Sequence, residues 1–419
     1  MAMLGLAAKS LWNRRLTSTL VVFAIALSVA LLLGVERLRT QTRASFANTL
    51  SGTDLIVGAR SGPINLLLYS VFRIGDPTNN VHWRSYQTLA AHPQIAWSVP
   101  LSLGDSHRGF RVLGTTTAYF EHYRYGHGQP VRLAQGQRFD DLFDTVLGAE
   151  VAERLGYGLG QSVVIAHGAG EVSFALHEDK PFRVVGILAR TGTPIDQTVH
   201  VRLEAIEAIH ADWRGGAPTP GQRFSATEVR DLDLTPKTIT AFLVGLKSKT
   251  AIFRLQRDIN EFAGEPLLAI LPGLTLQQLW DLLGLAENAL LLVSGAVVLV
   301  GLTVMLAVLL TGLNERRREM AILRAVGAQP RQIFGLVLGE SLTLTALGAV
   351  AGVLLLQAVL ALAGPLLETR LGLRIAAWPP SGHEGRLLLA VLGCGVAAGL
   401  LPALRAYRYS LADGLTVRL

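Results

Sequence analysis

The sequence predicts an α-helical membrane protein with four transmembrane helices and a large α+β extracytoplasmic domain inserted between helices 1 and 2. Three observations support this prediction: four long apolar runs, a polar region of about 250 residues between the first and second of them, and basic residues that flank them. The apolar runs contain no Asp, Glu, Lys or Arg and are Leu16–Val35, Ala289–Leu313, Ser341–Gly364 and Leu387–Leu404. Since a helix rises about 1.5 Å per residue, each run is long enough to cross the hydrocarbon core of a bilayer.

The composition favours a membrane protein over a soluble enzyme. Half of the 419 residues are apolar, and the mean hydropathy is +0.39. A net charge of +7 is compatible with nucleic-acid binding, but no basic–aromatic motif accompanies the charge, and the basic residues cluster beside the apolar runs. We therefore predict contact with membrane lipid and no nucleic-acid partner.

The basic flanks also predict the orientation of the chain. Eleven Lys and Arg residues lie in Met1–Arg15, Asn314–Gln332 and Arg405–Leu419. Because such flanks stay in the cytoplasm, we expect both termini there and the large polar domain outside. Three arginines just after the first run oppose this orientation: Arg37, Arg39 and Arg43. We keep it because a long domain crosses the membrane largely regardless of its flanking charge.

The apolar runs divide the chain into five segments. Segment 1–50 contains an N-terminal tail, transmembrane helix 1 and a stalk, and segment 51–274 is an external α+β domain. Segment 275–313 contains a second stalk and transmembrane helix 2, and segment 314–332 is a cytoplasmic helix. Segment 333–419 contains transmembrane helix 3 (333–364), transmembrane helix 4 (387–404) and a cytoplasmic tail. We predict two lobes for the external domain. Its core must stabilise it without disulfides, because the only cysteine, Cys394, lies in the fourth run.

Short β-rich runs alternate with helices in the external domain. Predicted strands are Leu55–Val57, Ile95–Leu103, Phe110–Thr115, Ser162–Ala166, Glu171–Leu176, Phe182–Leu188 and Ile239–Leu246. Predicted helices are Gly148–Leu155, Leu203–His210 and Thr250–Ala263, and Gly215–Gly221 is a predicted loop. The apolar stretch Ile64–Phe72 is too short to span a bilayer, so we predict a buried helix, with an exposed apolar loop as the alternative.

Three stretches carry motifs. The segment after the second apolar run reads NERRREMAILRAVGAQPRQIF (Asn314–Phe334), and LPALRA (Leu401–Ala406) precedes the basic tail. In the external domain, VLGAEVAERLGYGLGQSV (Val146–Val163) is followed by FRVVGIL (Phe182–Leu188). Together they resemble bacterial ABC-transporter permeases of the MacB/FtsX/LolC–LolE family, also called type VII or mechanotransmission permeases. The resemblance covers most of the chain but not Ile64–Arg138.

The resemblance implies a non-catalytic permease subunit that couples ATP hydrolysis by a separate cytoplasmic ABC ATPase to movement of its periplasmic domain. Segment 314–332 would be the coupling helix, and its coupling residues would be Glu315, Arg316, Arg318, Glu319, Leu323, Arg324 and Gly327. Met320, Leu323 and Gly327 share one helical face, so the helix can lie in an interface plane. A basic anchor on anionic lipid is the alternative interpretation of this segment.

Cofactors and partners follow from the same resemblance. The chain has no G-x-x-x-x-G-K-[ST] motif, so we predict no cofactor in this chain and ATP bound by the partner ATPase. The resemblance also implies a bacterial inner-membrane location and a second permease copy, for which we favour a homodimer over a heterodimer. A periplasmic adaptor or a lipoprotein is a further predicted partner.

Three roles remain open for such a permease. The main prediction is that it moves or extracts a periplasmic substrate. One alternative is an FtsX-like signalling permease that transports nothing and activates a periplasmic partner such as a cell-wall hydrolase. A further alternative is lipoprotein release. Lipoprotein release would need an exposed apolar surface, for which Ile64–Phe72 is the candidate. The chain has no G-x-S-x-G or H-E-x-x-H motif, so we predict no catalytic residues.

Several further residues have types or spacings that bear on possible sites. Nine of the ten histidines lie in the external domain, and Glu121–His127 and His177–Asp179 carry metal-ligand residue types. Their spacing matches no established site, so we assign no metal site. Glu340 is the only ionisable residue in Ile333–Gly364. We favour an interfacial structural role, in which it reaches the membrane interface or a basic loop residue such as Arg331, over a role in a transport site. The GxxxG spacing of Gly348–Gly352 predicts packing of helix 3 inside its own subunit.

Overall fold

The structure, a computed structural model, describes residues 14–168, 176–214, 217–219, 224–371 and 381–408. The chain groups into two compact units. The sheet unit is Arg43–Leu282, and the helical unit consists of Met1–Thr42 and Leu283–Leu419.

Eleven α-helices are described, and they are numbered here in chain order. They are α1 (Arg15–Ala47), α2 (Pro63–Leu67), α3 (Trp83–Ala90), α4 (Ala118–His122), α5 (Ala149–Leu155), α6 (Leu203–Ile209), α7 (Ile252–Asn260), α8 (Pro272–Glu315), α9 (Arg317–Ala325), α10 (Pro330–Leu371) and α11 (Gly382–Arg408). A π-helical turn follows α2 at Leu68–Phe72, and 3-10 turns lie at Pro194–Gln197, Glu228–Asp231 and Lys249–Ala251. The boundary between the two units falls within α1 and α8.

The described strands all belong to the sheet unit. They are β1 (Leu55–Ala59), β2 (Val81–His82), β3 (Ile95–His107), β4 (Phe110–Thr115), β5 (Arg124–Tyr125), β6 (Gln129–Pro130), β7 (Leu133–Gly136), β8 (Asp144–Leu147), β9 (Ser162–Val163), β10 (Ala166–His167), β11 (Phe182–Leu188), β12 (Thr198–Arg202), β13 (Trp213–Arg214), β14 (Ala217–Pro218), β15 (Thr238–Ile239), β16 (Ala241–Leu246) and β17 (Leu267–Ile270).

Four helices of the chain are long and apolar enough to cross a membrane: α1, α8, α10 and α11. In the helical unit they share an apolar cluster that includes Val29, Leu302 and Leu344. Gly348 and Gly352 bring α10 close to α1, because a Cβ atom at Gly352 would lie 2.7 Å from the carbonyl oxygen of Ala26. The GxxxG spacing therefore packs this helix inside its own chain, as predicted.

One mixed sheet of eleven strands forms the centre of the sheet unit. Nine strands run in the order β17-β1-β16-β3-β4-β12-β8-β11-β7, while β10 pairs with β3 and β9 pairs with β11. Alternate residues of a strand point to opposite faces, and both faces are covered. On β16, Leu243 packs into one apolar cluster, whereas Phe242 and Val244 pack into another on the other side. This explains why these strands are continuous apolar runs.

A further apolar cluster surrounds Val112, Val151 and Phe182, so the sheet unit holds three clusters around its one large sheet. This grouping does not test the two-lobe organisation, which stays a prediction.

The short apolar stretch Ile64–Phe72 is buried, as predicted. It forms α2 and the π-helical turn, and Leu66, Leu67 and Tyr69 are nearly inaccessible to solvent. These side chains pack against the sheet with Leu101 and Leu243. The alternative of an exposed apolar loop is wrong, and the surface considered for lipoprotein release is therefore not at this position.

Two predicted strands are each divided in the structure, because the chain changes its partner strand. Residues of β9 pair with β11, whereas residues of β10 pair with β3. Likewise, β15 pairs with β2 and β16 pairs with β3 and β1. The predicted strand Glu171–Leu176 and the predicted loop Gly215–Gly221 lie mostly outside the described residues.

Candidate functional site

The segment predicted to couple to an ATPase folds as the short helix α9 between two long helices. Gly327 ends α9 with a φ angle of 103°, a conformation that favours glycine. The backbone N–H of Ala328 donates to the carbonyl of Leu323 at 2.9 Å, and that of Gly327 donates to Arg324 at 3.0 Å. This bonding pattern is typical of a Schellman helix end. In the structure, Gly327 therefore terminates the helix.

One face of α9 packs inward. Met320 and Ala321 are both 5% exposed. Met320 contacts an apolar cluster that includes Leu313 of α8 and Ile333 of α10. Leu323, predicted to share an interface face with Met320, is half-buried. The face chosen from the sequence is therefore largely used to attach α9 to the neighbouring long helices.

The exposed apolar face of α9 consists of different residues. Ile322 is 52% exposed and Val326 is 85% exposed. Val326 directly follows the last residue of α9, and its backbone N–H donates to the carbonyl of Ile322 at 3.0 Å, so the two side chains lie on the same side of the helix. Neither residue is among the predicted coupling residues, although their i,i+4 spacing is visible in the sequence. The sequence could not show which of the two apolar rows on α9 packs inward.

Ion pairs attach the charged coupling residues to their surroundings. Glu315 pairs with Arg14 at 2.5 Å, and Arg316 pairs with Glu319 at 3.2 Å. Arg316 also reaches the buried Glu340 at 3.2 Å. The predicted contact of Glu340 with a basic residue of the 314–332 segment is therefore confirmed, with Arg316 in place of the example Arg331.

Arg316 therefore connects the start of α9 with α10 through Glu340. Of the remaining predicted residues, Arg318 is exposed and Arg324 is half-buried. The structure thus brings Glu315, Arg316 and Glu319 into ion pairs and leaves Arg318 on the surface.

A second polar cluster lies in the sheet unit and contains Asp105, His167, His177 and His210. Their possible ligand atoms all lie within 4.8 Å of one another. Asp105 on β3 and His167 on β10 are directly opposite in the antiparallel register. His210 directly follows α6, and the backbone N–H of His177 donates to Ile165 at 2.9 Å, beside β10.

Burial and mutual contacts change the proton affinities in this cluster. Burial alone would raise the pKa of Asp105, but hydrogen bonds from His167 and His210 outweigh it and lower this pKa to about 2. Burial lowers the pKa of His177 to about 4. Burial also opposes protonation of His210, but its contact with Asp105 is stronger and raises the pKa of His210.

Only part of this cluster can be recognised from the sequence. His177 belongs to one of the two stretches that were weighed, whereas His122 of the other stretch stacks on Trp97 with ring centroids 4.9 Å apart. His127 is exposed. Residues 105, 167 and 210 were missed because the four residues come from separate elements, and no local spacing relates them.

Comparison with known protein families covers both units. The family model described as the MacB-like periplasmic core domain matches residues 16–262. The chain belongs to the MacB/FtsX permease family. A second model of this family, the FtsX-like permease C-terminal model, matches residues 291–411, which include α9, α10 and α11. The family resemblance predicted from three motifs is therefore confirmed.

Two solved structures are similar to parts of this MacB/FtsX permease. The periplasmic region of MacB from Actinobacillus actinomycetemcomitans has 13% identity and a TM-score of 0.34, over 55% of this chain and 94% of that chain. The extracellular domain of the noncanonic ABC-type transporter YknZ from Gram-positive bacteria has 12% identity and a TM-score of 0.31, over 52% of this chain and 99% of that chain. No curated protein matches the sequence of this chain.

Proposed function

We propose that this chain is the membrane subunit of an ABC transporter in the bacterial inner membrane. In this proposal, a separate cytoplasmic ATPase binds and hydrolyses ATP, and this chain transmits the resulting movement to its periplasmic domain, which moves or extracts a periplasmic substrate. ABC-type permeases of this family work with an ATPase, and membership of the family supports this role. The observation that carries the coupling step is the two-sided character of α9.

Helix α9 is suited to receive force from another protein. Its inner face is attached to α8 and α10 through Met320 and through the Arg316–Glu340 ion pair. Its outer face presents Ile322 and Val326 to solvent. Complete removal of a fully exposed apolar side chain of this size from water is worth about 1.5–3 kcal/mol, so contact with a partner over this face would be favourable. A docked ATPase would therefore move α9 together with the two long helices.

The proposed lever consists of α1 and α8. The boundary between the two units falls within both helices, so each contributes residues to both units. Displacement of α8 at Glu315 would be transmitted along an element without a break in its backbone hydrogen bonding. This supports mechanotransmission without a polar pathway through the spans.

Partners and orientation complete the proposal. The basic flanks support a cytoplasmic α9 and cytoplasmic termini, with the sheet unit in the periplasm. Two copies of the permease, more consistent with a homodimer than a heterodimer, would bind two ATPase copies. A periplasmic adaptor or lipoprotein is proposed as a further partner. An FtsX-like signalling role would use the same lever, whereas lipoprotein release lacks its expected surface because Leu66, Leu67 and Tyr69 are buried.

Acidic substitutions on the outer face of α9 test the coupling role. We expect the Ile322→Glu and Val326→Glu double variant to reduce stimulation of the co-purified ATPase by about tenfold or more. The reason is that two charges would replace apolar side chains that the docked ATPase is proposed to cover. ATPase activity is measured with the full chain reconstituted in lipid. Phe253→Glu is the matched control, since Phe253 is an exposed apolar residue of the sheet unit. Full stimulation in a folded double variant would contradict the docking proposal.

A further inference from the structure

Four side chains of the sheet unit converge as metal ligands normally do. The Nδ1 atom of His167 lies 3.0 Å from Nε2 of His210 and 3.2 Å from Oδ1 of Asp105. Nε2 of His210 lies 3.5 Å from the same oxygen. His177 brings one further possible ligand atom to within 4.8 Å of the other three. Three imidazoles and one carboxylate therefore share a small volume.

These separations fit tetrahedral coordination. With metal–ligand bonds of about 2.0–2.1 Å, the corners of a tetrahedron are about 3.3 Å apart. The three separations of 3.0, 3.2 and 3.5 Å bracket that distance. An ion placed among these atoms would therefore need only small adjustments of the side chains.

The surroundings orient all three histidines. His210 Nδ1 lies 2.8 Å from the carbonyl oxygen of Ile206 and donates to it, so in the neutral ring the lone pair of Nε2 faces the cluster. In metal-binding histidines, the ring nitrogen that does not bind the metal typically donates a hydrogen bond of this kind. Trp213 contacts the rings of His167 and His177, with centroid distances of 4.7 and 5.1 Å. The indole limits the positions that these rings can adopt.

His177 provides an independent indication of a missing ligand. Its side chain is 2% exposed, and its Nε2 atom has no hydrogen-bond partner within residues 14–168, 176–214, 217–219, 224–371 and 381–408. Buried polar atoms normally have partners, because an unsatisfied one costs about 1–3 kcal/mol. One proton shared between His167 and His210 would satisfy that pair but would leave Nε2 of His177 without a partner among the described residues. A bound cation satisfies the cluster as a whole.

The charges around the cluster allow a cation to bind. The nearest buried ammonium group, on Lys180, is neutralised by Asp179 at 2.7 Å and by Asp212 at 3.3 Å. Asp105 supplies one negative charge inside the cluster. The side chain of His167 is 40% exposed, which leaves a route for an ion from solvent.

We propose that Asp105, His167, His177 and His210 bind one divalent transition-metal ion, for which zinc is the best fit. Nitrogen-rich ligand sets suit zinc, whereas calcium and magnesium require oxygen ligands. Four protein ligands fill a tetrahedral shell and leave no open position, which is typical of a structural site. The ion would join β3, β10 and the end of α6 to the segment that follows Leu176. This site is independent of the proposed coupling through α9.

Metal titration of the full chain tests the site. The purified chain in detergent is stripped with a chelator and titrated with zinc in competition with a chromophoric chelator. We expect one zinc ion per chain with micromolar or tighter affinity, and no competition by magnesium or calcium. Cobalt should give the intense visible absorption of a tetrahedral complex. The measurement needs no ATPase, so its outcome is separate from that of the coupling experiment.

Variants locate the bound ion. The His167→Ala and His210→Ala double variant should weaken zinc binding about 100-fold or more, because it removes two direct ligands. The control is the His122→Ala and His127→Ala double variant, which removes two histidines of the other stretch and should bind as the wild type does. Asp105→Asn preserves the shape of the buried side chain and should also weaken binding. Thermal unfolding without metal establishes that each variant is folded.

Two outcomes would overturn the proposal. One is a wild-type chain that takes up no zinc at micromolar free concentration. The other is unchanged zinc affinity in the folded His167→Ala and His210→Ala double variant. Loss of the metal in the control variant alone would place the ion in the Glu121–His127 stretch and would contradict the assignment to Asp105, His167, His177 and His210.

Discussion

Two arginine side chains in the second half of α1, the buried Arg37 and the partly exposed Arg39, are paired with buried acidic residues. Arg37 donates two hydrogen bonds to Glu384, at 2.8 and 2.6 Å, and both side chains are at most 3% exposed. Arg39 pairs with the buried Glu36 at 3.0 Å. Removal of one partner from a buried pair typically costs about 3–5 kcal/mol. These arginines therefore serve packing within the helical unit, which explains why they can lie after the first apolar run despite the orientation inferred from the basic flanks.

His200 of β12 makes the stability of the sheet unit depend on pH. Burial lowers the pKa of His200 to about 3, whereas a histidine in the unfolded chain titrates near about 6.5. Between these values the unfolded chain binds a proton that the folded chain does not bind. The free energy of unfolding should therefore fall as the pH decreases from about 6.5 towards 3, by about 2 kcal/mol at pH 5 from this residue.

His200→Phe should remove this part of the pH dependence. The neighbouring rings of Tyr119 and Phe120, at 5.4 and 6.0 Å, form an aromatic environment for the new side chain. Urea unfolding of the full chain in detergent at pH 7 and pH 5 measures the difference. His127→Gln is the control, because His127 is exposed and its replacement should leave the dependence unchanged. An equal pH dependence in His200→Phe and the wild type would disprove the assignment.

Among the elements, α9 shows how one amphipathic pattern can be interpreted in two ways. Met320 with Leu323, and Ile322 with Val326, form two apolar rows on the same short helix. The structure buries Met320 and exposes Val326, because the turn at Gly327 and the Arg316–Glu340 ion pair set the rotation of α9 against the long helices. The exposed row is therefore the one available to a partner.

Packing between α10 and α1 depends on the absence of side chains at two positions. A Cβ atom at Gly348 would lie 2.6 Å from Cβ of Ile25, and one at Gly352 would lie 2.7 Å from the backbone of Ala26. We expect Gly352→Val to destabilise the chain by about 1–3 kcal/mol or more, since the two helices would have to separate. Thermal unfolding in detergent measures this loss.

Gly339→Val is the matched control for that substitution. Gly339 lies on the same helix, and, apart from its chain neighbours and the adjacent backbone of its own helix, no atom of the described residues lies within 4 Å of a Cβ atom placed there. The control has the same change in helix propensity and in side-chain volume, but the new side chain meets no neighbouring helix. Gly339→Val should therefore destabilise the chain much less than Gly352→Val. If both variants lost the same stability, close approach of α10 and α1 would not be the reason for these glycines.

The molecule as a whole combines a helical unit and a sheet unit, and the proposed mechanism requires α9 and the sheet unit to lie on opposite sides of a membrane. Single cysteines in a Cys394→Ala background test this. Ser248→Cys, on the surface of the sheet unit, should react with an impermeant maleimide in intact cells with a permeabilised outer membrane. Arg318→Cys should react only after lysis. Labelling of both positions from the same side would contradict the proposed topology.

Much of this architecture can be predicted from consecutive residues. Apolar run length predicts the four long helices, β-rich runs predict β4 and β11 closely, and a helical pattern predicts α5. Strand limits such as that between β9 and β10 could not be predicted, because they depend on which neighbour each residue pairs with. The sequence motif identified where the proposed coupling segment lies along the chain. It did not show which face of α9 is exposed.

Run length, charge distribution and motif spacing are properties of neighbouring positions, so the chain alone specifies the long helices, the polar region between the first two, and the family. The assembled fold was needed to show that Asp105, His167, His177 and His210 meet, and that Glu340 pairs with Arg316. These contacts join residues far apart in the chain. They depend on strand register and helix packing, which local patterns do not encode.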